Sequence, residues 1–289
     1  MKTAKFLIKN GKNFKISDIR CDDTLDYIKS DRAKVEAEMH DNLLQLEKLQ
    51  DKLYAQSTHS VLVIFQAMDA AGKDGTIKHV MSGLNPQGCQ VACFKSPSST
   101  ELDHDYLWRI TKELPARGNI GIFNRSHYEE VLVVKVHELH KKQLIPSGCI
   151  TKDFWKRRYL QINNFEEYLV ENGIVPIKIF LHVSKKEQKK RILERIDDPS
   201  KNWKFDAGDL AERQYWDTYQ AAFAEMITNT STEHAPWYVV PADNKWFARA
   251  VVSEILLKTL KKLDPQYPEL PEDQQQLLSH YKELLENEK

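Results

Sequence analysis

The chain has 289 residues, and its 42 Lys+Arg balance 42 Asp+Glu, so it carries no net field to gather nucleic acid or an anionic membrane; any polyanion site must come from local clustering. Ten glycines and eleven prolines are few for this length and exclude collagen-like and low-complexity classes. The apolar runs are strand-sized and far short of the ~18 residues of a membrane span, no apolar stretch follows the basic start, and four scattered cysteines suit a reducing compartment, which predicts a soluble, cytoplasmic protein with no nucleic-acid or membrane partner.

In chain order, Val35, Met39, Leu43, Leu46, Leu49 and Leu53 recur at steps of three and four, predicting an amphipathic helix over 34–54 within an N-terminal helical extension, 1–55. Five β-branched or aromatic runs follow: Val61–Gln66, Cys89–Lys95, Ile120–Asn124, Ile174–Val183 and Trp237–Ala242. Near-continuous apolarity in the first, third and fourth predicts strands buried on both faces, as in a parallel sheet between helices. Cys89 and Cys93 are read as core, since no second Cys/His pair stands at zinc spacing. Residues 184–229 form a connection too long and too charged for an ordinary βα loop. Helices over 244–262 and 272–287 close the chain, separated by Pro265, Pro268 and Pro271. The expected fold is α/β, a three-layer α/β/α domain spanning 1–289 with a five-stranded parallel sheet and a helical insertion.

Directly after the first strand stands Ala67-Met68-Asp69-Ala70-Ala71-Gly72-Lys73-Asp74-Gly75-Thr76, followed by a helical run. In this strand–loop–helix setting the backbone amides of Ala70, Ala71, Gly72, Asp74, Gly75 and Thr76 and a helix N-terminus cradle phosphate, while Lys73 reaches the terminal phosphates. The match to G-x-x-x-x-G-K-[ST] is incomplete, because Ala67 replaces the first glycine and Asp74 takes the place of a metal-holding hydroxyl. A carboxylate beside an anion cradle repels phosphate unless a cation lies between them, so Asp69 predicts a bridging Mg²⁺. Asp74 is read as facing its own helix.

The third strand ends in Asn124-Arg125-Ser126-His127-Tyr128-Glu129. The carboxyl end of a strand next to a phosphate loop delivers polar groups to the same site. Asn124 orients the metal side of that site, Arg125 pairs bidentately with phosphate, and Glu129 binds metal directly or through water. His127 is read as a solvent-facing or capping residue, and His137 and His140 as surface residues. Within the insertion, Lys185, Lys186, Lys189, Lys190, Arg191 and Arg195 oppose only Glu187 and Glu194, giving a positive patch where kinases with this loop carry a lid that excludes water. A further cluster, Lys152, Lys156, Arg157 and Arg158, is read as helix surface.

Phe65 to Thr76, Asn85-Pro86-Gln87-Gly88, His104 to Arg109, Phe123 to Glu129 and Asn202-Trp203-Lys204-Phe205 together resemble polyphosphate kinase family 2, over about residues 45–260. The resemblance implies a P-loop kinase-like fold similar to thymidylate kinase, and transfer of the terminal phosphoryl group of inorganic polyphosphate to a nucleotide with Mg²⁺, or Mn²⁺ in its place. It implies that Asp69 holds metal and acceptor phosphate. Lys73 and Arg125 then act on the phosphates, and Arg191, Arg195, Lys204 and Arg213 belong to the lid and polyphosphate channel. Where many members have Asp at the third strand end and Asn five residues later, this chain has Asn124 and Glu129. That pairing resembles the subgroup acting on nucleoside monophosphates as well as diphosphates, adenine and guanine nucleotides included. A homo-oligomer is also implied. Two other readings share these residues: an ATP-dependent nucleoside monophosphate kinase, and a noncatalytic nucleotide or polyphosphate sensor.

Overall fold

A computed structural model describes residues 1–288. The strands are β1 (Leu7–Ile8), β2 (Ser60–Ala67), β3 (Cys89–Cys93), β4 (Ile120–Asn124), β5 (Ile174–His182) and β6 (Trp237–Pro241). The helices are α1 (Arg32–Gln56), α2 (Lys73–Val80), the single turns α3 (Ser99–Leu102), α4 (Trp108–Thr111) and α5 (Val133–Val136), then α6 (Phe154–Glu171), α7 (Lys185–Asp197), α8 (Ala207–Glu212), α9 (Trp216–Thr230), α10 (Lys245–Leu263) and α11 (Glu272–Glu286). All five expected strands form, in the order β6-β5-β2-β4-β3, and each pairs in parallel.

The sheet has six strands rather than five. Leu7 and Ile8 pair antiparallel with Tyr238 and Trp237 at the β6 edge. Two residues carry no readable alternation, so this strand exists only because the chain start is laid against β6 and satisfies its open edge.

β2 and β5 are buried almost throughout, from Val61 to Phe65 and from Ile177 to Leu181. Helices α1, α2 and α10 pack together as one layer, and α6 packs with α9 and β5 in the other. The α1 stripe explains why this helix forms at all: Val35, Leu43, Leu46 and Leu53 are buried, and the helix ends where Ser57 turns left-handed at φ 50°. Near the chain start, Gly11 lies so close to α9 that a Cβ would overlap the Ile227 and Thr228 carbonyls, which leaves glycine as the residue that fits.

Cys93 is a correction. It is exposed and Cys89 half-buried, because β3 is the outer strand at its end of the sheet and only Ala92 of that strand is buried.

His182, at the end of β5, is buried without a partner for Nδ1, and burial pushes its imidazolium pKa down from 6.5 to about 4. The unfolded chain takes up that proton near 6.5 and the folded one only near 4, so the unfolded state binds more protons over this interval and stability falls as pH drops through it. Urea midpoints measured between pH 7 and pH 4 are expected to decline, and His182→Gln to make the decline shallower; parallel pH profiles for the two proteins would remove His182 from the account.

Candidate active site

The loop between β2 and α2 turns through two left-handed residues, Ala70 at φ 58° and Gly72 at φ 108°. Gly72 is the N-cap of α2, so the first amides of the helix and its positive end face the same small volume. A Cβ on Gly72 would meet only Arg191 Nη1 at 3.6 Å; what demands glycine is the backbone angle, not crowding. Gly72→Ala is therefore expected to cost about 1–2 kcal/mol of backbone strain and to lower turnover in steady-state assays more than it lowers the thermal midpoint. Unchanged turnover would show that the loop tolerates a second conformation.

Lys73, 9 % exposed, reaches back along the loop, where Nζ donates to the carbonyls of Ala67 at 3.1 Å and Met68 at 3.4 Å. Burial pushes its pKa down, while Asp69, Glu129 and Asp74 push it up and Arg125 lowers it. The ammonium thus stands among three carboxylates and one guanidinium at the carboxyl ends of the central strands.

β4 delivers the other half. Arg125 leaves the strand at φ 64°, a left-handed angle that costs a non-glycine residue roughly 1–2 kcal/mol. Its amide still donates to Phe65 O at 3.0 Å, and its Nη2 meets Asp69 Oδ1 at 2.8 Å. Burial opposes the Arg125 charge, but Glu129 and Asp69 outweigh it and hold the guanidinium above its ordinary value. Asn124 Nδ2 donates to Asp74 Oδ1 at 2.6 Å, which fixes the Asp74 side chain across the loop rather than against its own helix. Burial pushes the Glu129 carboxyl up, against the pull of Arg125 and Lys73.

Arg125 and Glu129 open onto a cleft of about 900 Å³. Tyr106, Arg109, Val134, Leu144, Phe154 and Arg158 line its walls. The size suits a nucleotide-sized ligand, with an apolar body of pocket and cations at the end nearest the loop.

Residues 29–268 match the family model described as polyphosphate kinase 2 (PPK2). The chain belongs to the polyphosphate kinase 2 family. It is 54% identical over 244 residues to an ADP-polyphosphate phosphotransferase of Rhodopseudomonas palustris, covering 83% of this chain and 84% of that one. It is 46% identical over 265 residues to an AMP/ADP-polyphosphate phosphotransferase of Meiothermus ruber, covering 92% and 95%. The crystal structure of polyphosphate kinase 2 from Arthrobacter aurescens superposes with a TM-score of 0.89 at 39% identity, covering 100% of this chain and 98% of that one.

Within this polyphosphate kinase 2 chain the insertion residues divide into two groups. Arg191, expected in the lid, is 4 % exposed and lies under the loop. Its Nη1 donates to the carbonyls of Ala70 at 3.2 Å and Ala71 at 2.6 Å, its Nη2 to those of Ala242 at 2.6 Å and Asp243 at 3.1 Å, and its Nε to Glu187 Oε1 at 2.9 Å. These five hydrogen bonds to protein acceptors use the planar fork to brace the loop against the β6–α10 turn. Gln188, about one helical turn earlier, donates to Asp69 O at 2.9 Å. α7 is consequently part of the loop's support.

Arg195 pairs with Asp209 Oδ2 at 2.7 Å and donates to Lys204 O at 3.1 Å. Arg213 donates to Gln188 Oε1 at 2.6 Å and Lys185 O at 3.1 Å. Lys204 is exposed, its ammonium 4.9 Å from the Trp203 ring centroid. Burial and the Asp69 charge push the Asp209 carboxyl up, which places this part of the insertion within electrostatic reach of the loop.

Three histidine readings change. His127 is 2 % exposed and packs on Tyr128 and Phe165, because the chain leaves β4 into the core and not outward. His140 is buried against Phe154 and Trp155. His137 Nε2 lies 2.9 Å from Glu212 Oε2, which also accepts from the Tyr219 hydroxyl at 2.6 Å, fastening the insertion to the segment after β4. Arg158, read as helix surface, is mostly buried between the Tyr106 and Phe154 rings, its Nε 2.9 Å from Glu130 Oε1.

Sequence reasoning gave no role to Gln66. In the amide orientation that satisfies its neighbours, Nε2 donates to Glu129 Oε1 at 2.8 Å and Oε1 accepts from Ser126 Oγ and N at 3.0 and 3.1 Å. Its only signal in the sequence was a polar residue at the end of an otherwise apolar strand.

Proposed function

We propose that the protein transfers the terminal phosphoryl group of inorganic polyphosphate to a nucleoside monophosphate or diphosphate. The observation that carries this reading is the 2.8 Å pair between Asp69, in the loop after β2, and Arg125, just past β4; it joins that loop to the mouth of the nucleotide-sized cleft, which Arg125 lines. The names of the Rhodopseudomonas and Meiothermus relatives support polyphosphate as the donor and nucleotides as acceptors.

The acceptor phosphate enters from the cleft and the polyphosphate end lies on the loop amides. An acceptor phosphate oxygen attacks the terminal phosphorus in line, the bond to the shortened polyphosphate breaks, and its electron pair leaves on the departing oxygen. Lys73 and Arg125 neutralise charge on the transferring group. The acceptor is already ionised near neutral pH, so no strong base is needed. Arg195, Lys204 and Arg213 belong to a lid that keeps water from the phosphoryl group.

Asp69 and Glu129 would hold Mg²⁺. They are hard oxygen donors beside a phosphate site, and no group of three or more metal-binding side chains occurs among the described residues; one or two carboxylates completed by substrate phosphates and water is the set Mg²⁺ prefers, and Mn²⁺ accepts the same donors. When bound, such an ion would supply the positive charge that lets these carboxylates stand beside phosphate. Asn124 in place of a carboxylate and Glu129 five residues on support acceptance of AMP as well as ADP.

The test incubates the protein with polyphosphate, Mg²⁺ and either AMP or ADP, with no ATP at the start. ADP and then ATP should form from AMP. Product only when ATP is the donor would indicate a monophosphate kinase, and saturable binding without product a sensor. Among the described residues no helix is long and apolar enough to cross a membrane.

A further inference from the structure

Beneath the catalytic segment lies a set of ionic and polar groups that the proposed reaction does not use. Lys178 of β5 and Glu166 of α6 are fully buried, Nζ to Oε2 at 2.6 Å. The Tyr128 hydroxyl joins them, donating to Glu166 Oε1 at 2.6 Å and accepting from Lys178 Nζ at 2.9 Å. Lys178 also donates to Thr230 O at 2.7 Å, at the last turn of α9. This cluster ties three elements to one side chain, and that side chain stands between Arg125 and Glu129.

Arg125 is held at a left-handed backbone angle, a conformation that persists only where its surroundings over-determine it. From the β2 side, Gln66 holds Ser126 and Glu129. On the far side Tyr128, fully buried, has its amide on Ser126 Oγ at 3.2 Å and its hydroxyl on the ion pair. The short 3-10 turn His127–Val131 has no long helix behind it to hold its course. We infer that Tyr128, anchored by the Glu166–Lys178 pair, is a positioning residue that keeps Arg125 and Glu129 aligned on the transferring phosphoryl group.

The inference rests on the proposed reaction for its kinetic arm only. Tyr128→Phe removes one hydroxyl and leaves the 2.6 Å ion pair in place, with His127 Nε2 at 3.6 Å to face the freed Glu166 oxygen, so the variant is expected to fold. Its kcat for ADP phosphorylation by polyphosphate should fall about tenfold with KM for ADP within about twofold, because misplacement of a group acting in the transition state reads in kcat. In an Arg125→Lys background the same change should alter kcat less than about twofold, since coupled positions are non-additive. Hydrogen exchange of the amides over 125–131 should quicken with no matching change in β2. Native-like kcat and exchange, or equal losses in both backgrounds, would overturn the inference. Should the native protein show no polyphosphate-dependent turnover, the proposed reaction fails, and the exchange result alone decides for or against Tyr128.

Discussion

Lys73→Ala is expected to lower kcat by about 10³-fold, the scale on which removal of a preorganised charge from a transferring phosphoryl group is felt. The reasons are its place and its burial. Lys73 opens α2 directly after the Gly72 N-cap, is 9 % exposed, and stands within electrostatic reach of Asp69, Glu129, Asp74 and Arg125. In such a partly water-excluded site a fixed charge acts through a lower effective dielectric than in solvent. The loss should appear in kcat more than in KM for the nucleotide, because in the proposed reaction the nucleotide enters from the cleft on the Arg125 side. Folding should survive, since the only hydrogen bonds lost are those to the Ala67 and Met68 carbonyls. Stopped-time assays with polyphosphate and ADP, alongside thermal melts, check both halves; turnover within tenfold of native would place the phosphoryl group elsewhere.

Glu166→Ala is expected to be the most destabilising of the substitutions considered, by about 3–5 kcal/mol, because it leaves the Lys178 ammonium buried without its counter-charge. At this chain length that corresponds to a fall in Tm of roughly 5–8 °C. Burial opposes ionisation of Glu166, but Lys178 and His127 hold its carboxyl below the usual carboxylate value. A depressed carboxyl contributes stability that is present above its unfolded value and lost as pH falls through the folded one. The penalty of Glu166→Ala should therefore shrink in strong acid. Replacing both partners, Glu166→Gln with Lys178→Met, should recover part of the loss, as no unpaired charge remains. Denaturant titrations of the single and double variants measure this directly, and a Glu166→Ala protein as stable as native would mean that the pair contributes nothing to stability.

The residues that were readable from the sequence share one property, a pattern complete within a short stretch of chain. The β4 strand is expected and found at Ile120–Asn124, since its residues are apolar on both faces. The α1 stripe at steps of three and four predicts a helix over 34–54, and the helix runs from Arg32 to Gln56. The strand–loop–helix turn at Ala67–Thr76 was legible because its glycine and lysine stand at fixed offsets between a strand and a helix. Where no such pattern exists, the reading fails. Leu7–Ile8 is too short to show a period, Cys93 sits in an apolar run that happens to be the outer strand, and His127 looks like a cap residue although the chain there turns inward.

Arg191 shows the same limit in the insertion. In sequence it is one of six cations within 185–195, and nothing in their order separates a solvated lysine from a buried arginine. Only the arrival of the Ala70, Ala71, Ala242 and Asp243 carbonyls at one point gives it partners, and those carbonyls lie up to 121 residues away along the chain.

By itself the sequence determined the five parallel strands, the long helices and the strand–loop–helix turn at Ala67–Thr76, because hydrophobic period and glycine placement act over a few neighbouring residues. The tertiary structure alone decided which charges border the cleft and which brace the scaffold. Desolvation and pairing depend on groups brought together from distant parts of the chain, and no local pattern records them.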